Sequence, residues 1–448
     1  MFALAFVLAS GLTGSGCLNA RPYQCGDGTD CVRGGVSGRC EANGRCSFPS
    51  GACPSGWAYH DPDGPFDEMC VGDDANVDAG TDVGLDAPDG IQLQLLAILI
   101  QGYDGSVADD GWRVLARTRG TSTWTEIEET SPPSSNCDRG LWADCCGADD
   151  PDGLPELLVR CWHRPYVVRL TRVDDGLLGL TPLQLESGAA NTDEALVTWF
   201  DGDGDGDLDV VRGHPDLAFH TNTGGAFTLQ APLASGEHGM AAGNWDNDPA
   251  PELAVAGEAG VRVLERGDGS WSESYVVDTT DLGVKNVMWC DHRGDPHPEL
   301  VAASSGSLRM FANRGQGTAG QWLDTAAPLT LAGATGDSRL PMACVDVDGD
   351  GGQDVVFRGG GGVYVVPHGG ASTVEIGSTL YVRWLELADV DDDGRPDLVT
   401  AMDAPRRVEV WRNTSQPGAV SFASPTIIAT TSDLPLGVAI TSVVLPRR

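Results

Sequence analysis

Lysine is almost absent from this 448-residue chain, in which Lys285 is the only lysine. Acidic residues number 65 and basic residues number 28. Nucleic acids and anionic membranes bind basic surfaces, so a formal net charge of −37 argues against both as partners. Aromatic residues make up only 6% of the chain, and no apolar run approaches the ~20 residues that cross a bilayer. No helical apolar stripe of useful length occurs either, which favours an all-β fold.

Signatures of catalysis are missing as well. The sequence has no G-x-S-x-G elbow, no phosphate-binding loop and no H-E-x-x-H pair. Its histidines are scattered, and His292 and His297 are interpreted as ordinary residues rather than as ligands of a transition metal. We therefore expect that the protein is not an enzyme.

Carboxylates, in contrast, recur in a fixed pattern. Residues 201–209 read DGDGDGDLD, residues 346–354 read DVDGDGGQD and residues 389–397 read DVDDDGRPD. Carboxylates at positions 1, 3, 5 and 9 of one tight loop form the hard oxygen cage that Ca²⁺ prefers, and glycine at position 6 allows the sharp turn. We predict that Ca²⁺ binds these loops through Asp201, Asp203, Asp205, Asp209, Asp346, Asp348, Asp350, Asp354, Asp389, Asp391, Asp393 and Asp397.

The three loops differ from EF-hands. An EF-hand carries a bidentate glutamate at position 12 and lies between two helices. Here position 12 is Arg212, Phe357 or Thr400, and position 9 leads into β-branched apolar residues that are typical of strands. Each loop is therefore expected to precede a β-strand.

Three further segments match the pattern in part. Residues 291–299 carry Arg293 at position 3, where a cation stands in for the charge of the metal. The segment that ends at Glu156 aligns either with Ala148 at position 1 or with an insertion after Asp144, and metal binding by these two segments is left open. Residues 244–252 keep an oxygen side chain at all four positions, which adds Asn244, Asp246, Asp248 and Glu252 to the predicted metal ligands.

The ninth positions of the six segments fall 43 to 55 residues apart. This period is the length of a propeller blade, in which four short strands form each sheet. The D-x-D-x-D-G-x-x-D loops resemble those of the FG-GAP/VCBS repeat family, the calcium-loop β-propellers that include the head of integrin α-subunits. The resemblance covers roughly residues 136–430, although the Phe-Gly and Gly-Ala-Pro dipeptides of the family do not occur in register. It implies a propeller with Ca²⁺ bound where the first strand of a blade turns into the second.

The segments that flank the repeats complete the blade count. Residues 95–100, 112–116 and 123–127 read as strands of a blade without an acidic loop. Residues 437–445 read as a first strand with no blade after it, and pairing with the first blade would leave no open edge. We predict a seven-bladed propeller over residues 91–448, with eight blades as the alternative.

The amino-terminal residues predict export. An apolar run from Phe2 to Leu12 leads through small residues to Cys17 and resembles a bacterial lipoprotein signal, although no basic residue precedes it. We predict a signal peptide over residues 1–16 and a lipidated Cys17 as the only contact with a membrane. Leu18 at the next position indicates the outer membrane or the cell surface, with secretion as the alternative.

The 13 cysteines also favour an oxidising compartment. Besides Cys17, six of them lie within a head over residues 17–70 and predict three disulfides, whose pairing stays open among 15 arrangements. Residues 71–90 are acidic, without a basic or aromatic residue, and are predicted to form a flexible linker. In the blade with the aberrant loop we expect a disulfide in place of the metal, among Cys137, Cys145, Cys146 and Cys161. The last two cysteines, Cys290 and Cys344, are interpreted as buried thiols.

Two functions are compatible with such a propeller. The first, which the missing catalytic signatures favour, is a monomeric, calcium-stabilised scaffold at the cell surface that binds a protein or glycan partner in adhesion or recognition. Its binding face is expected to expose Arg212, His214 and Arg358, which follow second strands. The alternative is an exported carbohydrate-active enzyme, a lyase or a hydrolase, with its site in the central channel.

Overall fold

The computed structural model divides into two units, residues 1–89 and residues 90–448. The predictions for the signal peptide, Cys17 and the linker before residue 90 lie outside the described residues. In the first unit the structure describes residues 32–33, 36–37, 39–40, 46–49 and 57–59. In the second it describes residues 90–101, 111–127, 137–143, 145, 154–161, 164–174, 177–186, 197–213, 216–231, 233–235, 237–244, 252–257, 260–267, 270–277, 283–294, 297–304, 307–313, 329–332, 341–359, 362–370, 372–376, 381–431 and 434–446.

Five short strands form two small antiparallel sheets in the first unit. Strands β1 and β2 pair with each other, and strands β3, β4 and β5 form a sheet in that order. Their bounds are β1 Val32–Arg33, β2 Val36–Ser37, β3 Arg39–Cys40, β4 Cys46–Pro49 and β5 Trp57–Tyr59.

The second unit is a seven-bladed β-propeller, as predicted, and no helix occurs in its described residues. The bounds of its strands follow blade by blade. Blade 1 has β6 Gly90–Gln101, β7 Gly111–Thr118 and β8 Thr125–Glu126, and blade 2 has β9 Cys137–Ala143, β10 Glu156–Cys161, β11 Arg164–Asp174 and β12 Leu177–Gln184. Blade 3 has β13 Val197–Phe200, β14 Asp209–Arg212, β15 Asp216–Thr223, β16 Ala226–Leu229 and β17 Ala234–Ser235, and blade 4 has β18 Glu237–Gly243, β19 Glu252–Gly257, β20 Gly260–Gly267 and β21 Ser270–Val277. Blade 5 has β22 Val284–Cys290, β23 Glu299–Ser304, β24 Ser307–Phe311 and β25 Leu329–Ala332, and blade 6 has β26 Met342–Val345, β27 Asp354–Arg358, β28 Val363–Val366 and β29 Val374–Ile376. Blade 7 has β30 Val382–Ala388, β31 Asp397–Met402, β32 Arg407–Trp411 and β33 Thr426–Thr430, and the chain ends with β34 Leu434–Pro446.

The carboxy-terminal strand closes the ring. Strand β34 pairs antiparallel with β6, from Leu434 opposite Gln101 to Pro446 opposite Gly90, and becomes the first strand of blade 1. The predicted role of residues 437–445 is thus confirmed. Closure leaves no first strand unpaired, which removes an edge that could pair with another chain.

The core of the propeller lies between blades. Seven clusters of buried apolar side chains occur among the described residues, and each joins two neighbouring blades. Second strands are covered on both faces, so β10, β19, β23 and β31 are buried along their whole length. This double burial explains why the second strands read as continuous apolar runs rather than as alternating ones.

Two disulfides correct the interpretation of the cysteines. Cys290 and Cys344 are bonded to each other, with an S–S distance of 2.02 Å, and join the first strands of blades 5 and 6; the interpretation as thiols was wrong. Cys137 and Cys161 are also bonded, but they lie at the end of the β9–β10 pair away from the acidic loop. That disulfide cannot take the place of a metal in the loop. Cys145 is a buried thiol beside the loop, and Cys146 lies outside the described residues.

The described part of the chain contains no helix long and apolar enough to cross a membrane.

Candidate metal-binding loops

Six blades share the same connection between their first and second strands. In each, the second strand begins at the ninth position of the sequence pattern, and that residue pairs with the last residue of the first strand. The pairs are Ala143 with Glu156, Phe200 with Asp209, Gly243 with Glu252, Cys290 with Glu299, Val345 with Asp354 and Ala388 with Asp397. Because the strands are antiparallel, these loops and the turns after the third strands lie at one end of the sheets, which we call the loop face.

The ninth-position aspartates of the three full loops are completely buried and accept two backbone hydrogen bonds each. In blade 3, Asp209 Oδ2 accepts from Gly202 N at 2.9 Å and Oδ1 accepts from Asn222 N at 2.7 Å. In blade 6, Asp354 accepts from the second-position amide, Val347 N, at 2.8 Å, and in blade 7, Asp397 accepts from Val390 N at 3.1 Å. Each of these two aspartates also accepts from an amide that follows the third strand of its blade. Each ninth-position carboxylate therefore ties its loop to the third strand of the same blade.

The first position organises the turn. Asp201 Oδ1 accepts from Gly204 N at 2.7 Å and its Oδ2 accepts from Gly206 N at 3.2 Å, and Asp346 accepts in the same way. In blade 7, Asp389 accepts from the fifth- and sixth-position amides instead. Both donors of the first loop have positive φ, 75° at Gly204 and 97° at Gly206, which glycine adopts without strain. In blade 7 the fourth position is Asp392, a non-glycine residue with φ of 67°.

Carboxylate oxygens converge in all three full loops. In blade 3, oxygen atoms of Asp201, Asp203 and Asp205 lie within 4.8 Å of one another. In blades 6 and 7 the converging residues are the first, third and ninth, which are Asp346, Asp348 and Asp354, and Asp389, Asp391 and Asp397. The structure thus brings together three of the four predicted carboxylates in each loop and leaves out Asp209, Asp350 and Asp393.

These triads fit a hard divalent cation. Asp203 Oδ1 and Asp391 Oδ1 are buried and accept no hydrogen bond, whereas most other oxygens of the loops accept from backbone amides. A buried carboxylate oxygen without a donor is costly unless a cation lies beside it. Carboxylate oxygens at this spacing are the ligands that Ca²⁺ prefers.

The electrostatics of the loops point the same way. Burial raises the pKa of Asp209 to about 7 and that of Asp397 to about 6, although their backbone hydrogen bonds oppose the shift. Burial also raises the pKa of Asp354. Burial and then repulsion from the fifth-position carboxylate raise the pKa of Asp203 and of Asp348. The carboxylates therefore repel one another until a cation or a proton neutralises them.

Asparagines at the ends of third strands join neighbouring loops. Asn413 Nδ2 donates to Pro396 O of its own loop at 3.0 Å and to Val347 O in the loop of blade 6 at 2.7 Å. In blade 3, Asn222 Nδ2 bonds its own loop and Cys145 O of blade 2. This role was not predicted from the sequence, although an asparagine 13 to 16 residues after the ninth position is a signal that indicates it.

The turn after the third strand of one blade also packs on the loop of the blade before it. Gly418 N donates to Asp348 Oδ2 at 3.0 Å, and Arg266 donates to Gly202 O. In blade 1, Arg119 pairs with Asp392, whose Oδ2 also accepts from Gly120 N at 3.1 Å. Hydrogen bonds on the loop face thus join blades 2 and 3, 3 and 4, 6 and 7, and 7 and 1.

The three partial segments keep the framework of the loop. Cys145 N donates to Glu156 Oε2 at 3.1 Å, which is the bond of a second-position residue, so the pattern has an insertion after Asp144 and Ala148 is not its first position. In blade 5, His292 N donates to Glu299 Oε2 at 3.0 Å, while the Arg293 side chain is exposed. In blade 4, Asn244 is half-buried and Glu252 is buried, but Asp246 and Asp248 lie outside the described residues.

His292 is a structural residue, as interpreted from the sequence. It is buried, and its ring nitrogens lie 3.2 Å from Gln353 O and 3.1 Å from Gly370 O. Both nitrogens thus have backbone partners in blade 6. This arrangement leaves neither nitrogen of His292 for a transition metal.

The first strands, which line the central channel, carry few ionisable groups. Among their described side chains only Arg383 and Glu386 can ionise, and Arg383 pairs with Asp403 at 2.5 Å. No pair of carboxylates or nucleophile with a base is therefore present on the described first-strand side chains.

Two residues expected on an exposed binding face are placed differently. Arg212 is 7% exposed, and its Nε donates to Glu186 Oε1 at 2.7 Å, an oxygen that also lies 2.9 Å from His220 Nε2. Arg358 is half-buried and donates to Val382 O at 3.1 Å. The expectation of exposure was wrong for Arg212, because its side chain lies between blades 2 and 3 and pairs with Glu186 of blade 2. His214 lies outside the described residues.

Comparison with known proteins identifies a repeat family for residues 291–357 and a fold for 78–79% of the chain. Residues 291–357, which include the partial loop of blade 5 and the full loop of blade 6, match the model of the FG-GAP-like repeat. No curated protein is significantly similar to the chain in sequence.

Solved structures with the same fold have very different sequences. An Agrocybe aegerita lectin, studied for its specific recognition of non-reducing terminal N-acetylglucosamine, is 13% identical with a TM-score of 0.51, over 79% of this chain and 95% of the lectin. A proposed 6-phosphogluconolactonase from Bacteroides uniformis is 11% identical with a TM-score of 0.51, over 79% of this chain and 100% of its own. A second one, from Bacteroides fragilis, is 11% identical with a TM-score of 0.50, over 78% and 98% of the two chains. At these identities the likeness shows the propeller fold alone.

Fold and loops together define a seven-bladed propeller with acidic connections on one face. The repeat match over residues 291–357 and the seven sheets support a relation to the FG-GAP β-propeller family. This fold supports a binding or scaffold role.

Proposed function

We propose that the propeller is a calcium-stabilised, non-catalytic scaffold that binds a protein or glycan partner at the cell surface. The observation that carries the proposal is the convergence of three carboxylates in each of three loops on one face, within 4.8 Å. Such groups favour a cation, and a cation on each loop stabilises the blade in which the loop lies.

The chemistry of the loops argues for structure rather than catalysis. Ninth-position carboxylates hold the loop to the third strand, and first-position carboxylates hold the turn, so these oxygens are engaged with backbone amides. A general acid or base must instead reach a substrate proton. The described side chains of the first strands offer only Arg383 and Glu386, which weakens the alternative of a lyase or hydrolase in the channel.

The proposed location rests on sequence and on oxidation. A lipoprotein-like segment ends at Cys17, and two disulfides form within the propeller. Disulfides persist in exported proteins and are rare in reducing compartments. We therefore place the scaffold outside the cytoplasm, on a lipid anchor at Cys17, with secretion as the alternative.

The proposal is tested with a variant that removes the third-position carboxylate from all three triads, D203N/D348N/D391N. Wild-type protein should retain Ca²⁺ after dialysis and melt at a higher temperature with Ca²⁺ than with a chelator. The variant should lose both properties. Equal metal retention by the two proteins would contradict the calcium site.

The binding role is tested separately with the full chain. Glycan-array and pull-down screens with Ca²⁺ and with a chelator should identify a partner that is lost on chelation. The same protein is assayed for release or cleavage of polysaccharides and esters. Turnover that is lost on substitution of Glu386 would favour the enzyme instead.

A further inference from the structure

A cavity lies on the loop face where the ring closes between blades 7 and 1. Its volume is about 240 Å³. Blade 1 supplies Arg117, Trp124 and the turn residues Thr121 and Ser122, while blade 7 supplies Arg412 and the acidic loop. This is the seam that strand β34 completes, so the cavity exists only in the closed propeller.

Arg117 is a buried cation whose hydrogen bonds go only to neutral groups. It is 7% exposed, its Nε donates to Gln94 Oε1 at 2.8 Å and its NH1 donates to Thr121 O at 2.9 Å. Its guanidinium carbon lies 5.0 Å from the centre of the Trp124 ring. Burial lowers the pKa of Arg117, and the charges that oppose this shift are those of Asp392, Asp397 and Asp389. The loop of blade 7 therefore supplies the negative charge that a buried guanidinium requires.

Arg412 is the second cation of the cavity and shares a partner with the metal triad. Its NH1 pairs with Asp391 Oδ2, and its side chain is 50% exposed. Asp391 belongs to the triad with Asp389 and Asp397. A cation on this triad would compete with Arg412 for Asp391, because both neutralise the same carboxylate.

The charge of the cavity therefore depends on the triad. Without a metal, Arg412 is paired with Asp391, and Asp392, which also pairs with Arg119, lines the cavity together with Arg117. Ca²⁺ on the triad would neutralise the carboxylate of Asp391 and would leave the guanidinium of Arg412 without its ion-pair partner. The lining would then carry an excess of positive charge that an anionic group could offset.

We propose that this cavity is a calcium-dependent binding site for the carboxylate of an acidic sugar. The inference deepens the proposed function, on which it rests, because it assigns a ligand class to one site of the loop face. Arg412 would bind the carboxylate, and the buried Arg117 would contribute positive charge to the cavity. Hydroxyls of Thr121, Ser122 and Thr426 can bond the sugar hydroxyls, and Val410 and Ile428 offer apolar contact to the ring. The volume is below the range of about 300–1,000 Å³ typical of drug-sized ligands, which suits one sugar unit.

The experiment measures binding of methyl β-glucuronide to the full chain by calorimetry and ligand-observed NMR, with Ca²⁺ and in metal-free buffer. Methyl β-glucoside is the neutral control, and acetate is the control for a simple carboxylate. We expect the glucuronide to bind about fivefold more tightly with Ca²⁺, the factor that about 1 kcal/mol corresponds to, and more tightly than either control.

The variant R412Q gives two effects of opposite sign. It should lose glucuronide binding, and it should bind Ca²⁺ more tightly at this loop because a competing cation is gone. A misfolded protein would instead lose the binding of both the glucuronide and Ca²⁺. The matched control is R262Q, whose guanidinium pairs with Glu273 at 3.8 Å in blade 4, away from the cavity, and which should behave as wild type.

Three results would overturn the inference while Ca²⁺ still stabilises the protein. These are glucuronide binding that is independent of Ca²⁺ or of Arg412, equal binding of the glucoside, and equal binding of acetate. A wild-type protein that does not bind Ca²⁺ would instead contradict the proposed function itself.

Discussion

The substitution D203N should have effects of opposite sign with and without Ca²⁺. Asp203 lies in the blade 3 triad with Asp201 and Asp205, and its Oδ1 is buried without a hydrogen-bond partner. Asparagine has nearly the same shape as aspartate, so the change removes one negative charge and one anionic ligand and little else. In metal-free protein it should relieve repulsion, and in Ca²⁺-loaded protein it should remove stabilisation.

The magnitudes follow from the geometry and the size of the unit. Two unit charges about 4 Å apart repel by about 1 kcal/mol in water, which is the gain expected without metal. A site occupied at 100 times its Kd contributes about 2.7 kcal/mol. The entropy of unfolding is about 2.1 cal/mol/K per residue, so the roughly 360 residues of the propeller give about 0.75 kcal/mol/K. The melting temperature should therefore rise by about 1 °C in chelator and lose about 3–4 °C of the Ca²⁺-dependent shift.

Differential scanning calorimetry with saturating Ca²⁺ and with a chelator measures both effects. The matched control is D207N, because the Asp207 carboxylate accepts from Gly224 N at 2.7 Å and lies outside the triad. The control should keep most of the Ca²⁺-dependent shift. A D203N protein that melts lower than wild type in chelator, or that keeps the full shift with Ca²⁺, would refute the assignment of the triad.

Three further predictions concern the framework around the loops. Replacing Asn413 by alanine leaves two backbone carbonyls without their donor. The free energy of unfolding, measured by urea titration, should therefore fall by about 1–3 kcal/mol with or without Ca²⁺. A loss seen only with Ca²⁺ would be inconsistent with an inter-blade role. Replacing Cys290 and Cys344 together by alanine removes a cross-link over 54 residues, which should cost about 4 kcal/mol in non-reducing denaturation, and equal stability would argue against the bond. Because burial raises the pKa of Asp209 and Asp397 above the value of about 4 in an unfolded chain, metal-free protein should lose stability as the pH rises from about 4 to 7. Ca²⁺ affinity should rise over the same range, and a calcium titration that is flat with pH would contradict the ligand assignment.

The regular part of the fold was readable from the sequence. The ninth position predicted the start of a second strand, and β14, β27 and β31 begin there, because a carboxylate followed by β-branched residues fixes both the turn and the strand. The terminal strand was also predictable, since an apolar run without a following blade must pair with the first one. These features depend on local chemistry that repeats.

Features that depend on two distant segments were not readable in this way. The disulfide between Cys290 and Cys344 joins strands of neighbouring blades, and neither local sequence shows that the two thiols meet. The burial of Arg212 depends on Glu186 of the previous blade. The register of the first acidic loop needed the bond from Cys145 N to Glu156, because the inserted residues leave two alignments equal in sequence.

The sequence alone determined the class of the protein, because the spacing of carboxylates, glycines and β-branched residues sets both the period of the blades and the place of each acidic loop. Only the tertiary structure decided which carboxylates converge. Asp209 is held by two backbone amides and lies outside its triad, whereas Asp354 and Asp397 accept the same bonds and still take part. The tertiary structure also decided that Arg117 and Arg412 meet the loop of blade 7, because closure of the ring brings together residues that lie almost 300 positions apart in the chain.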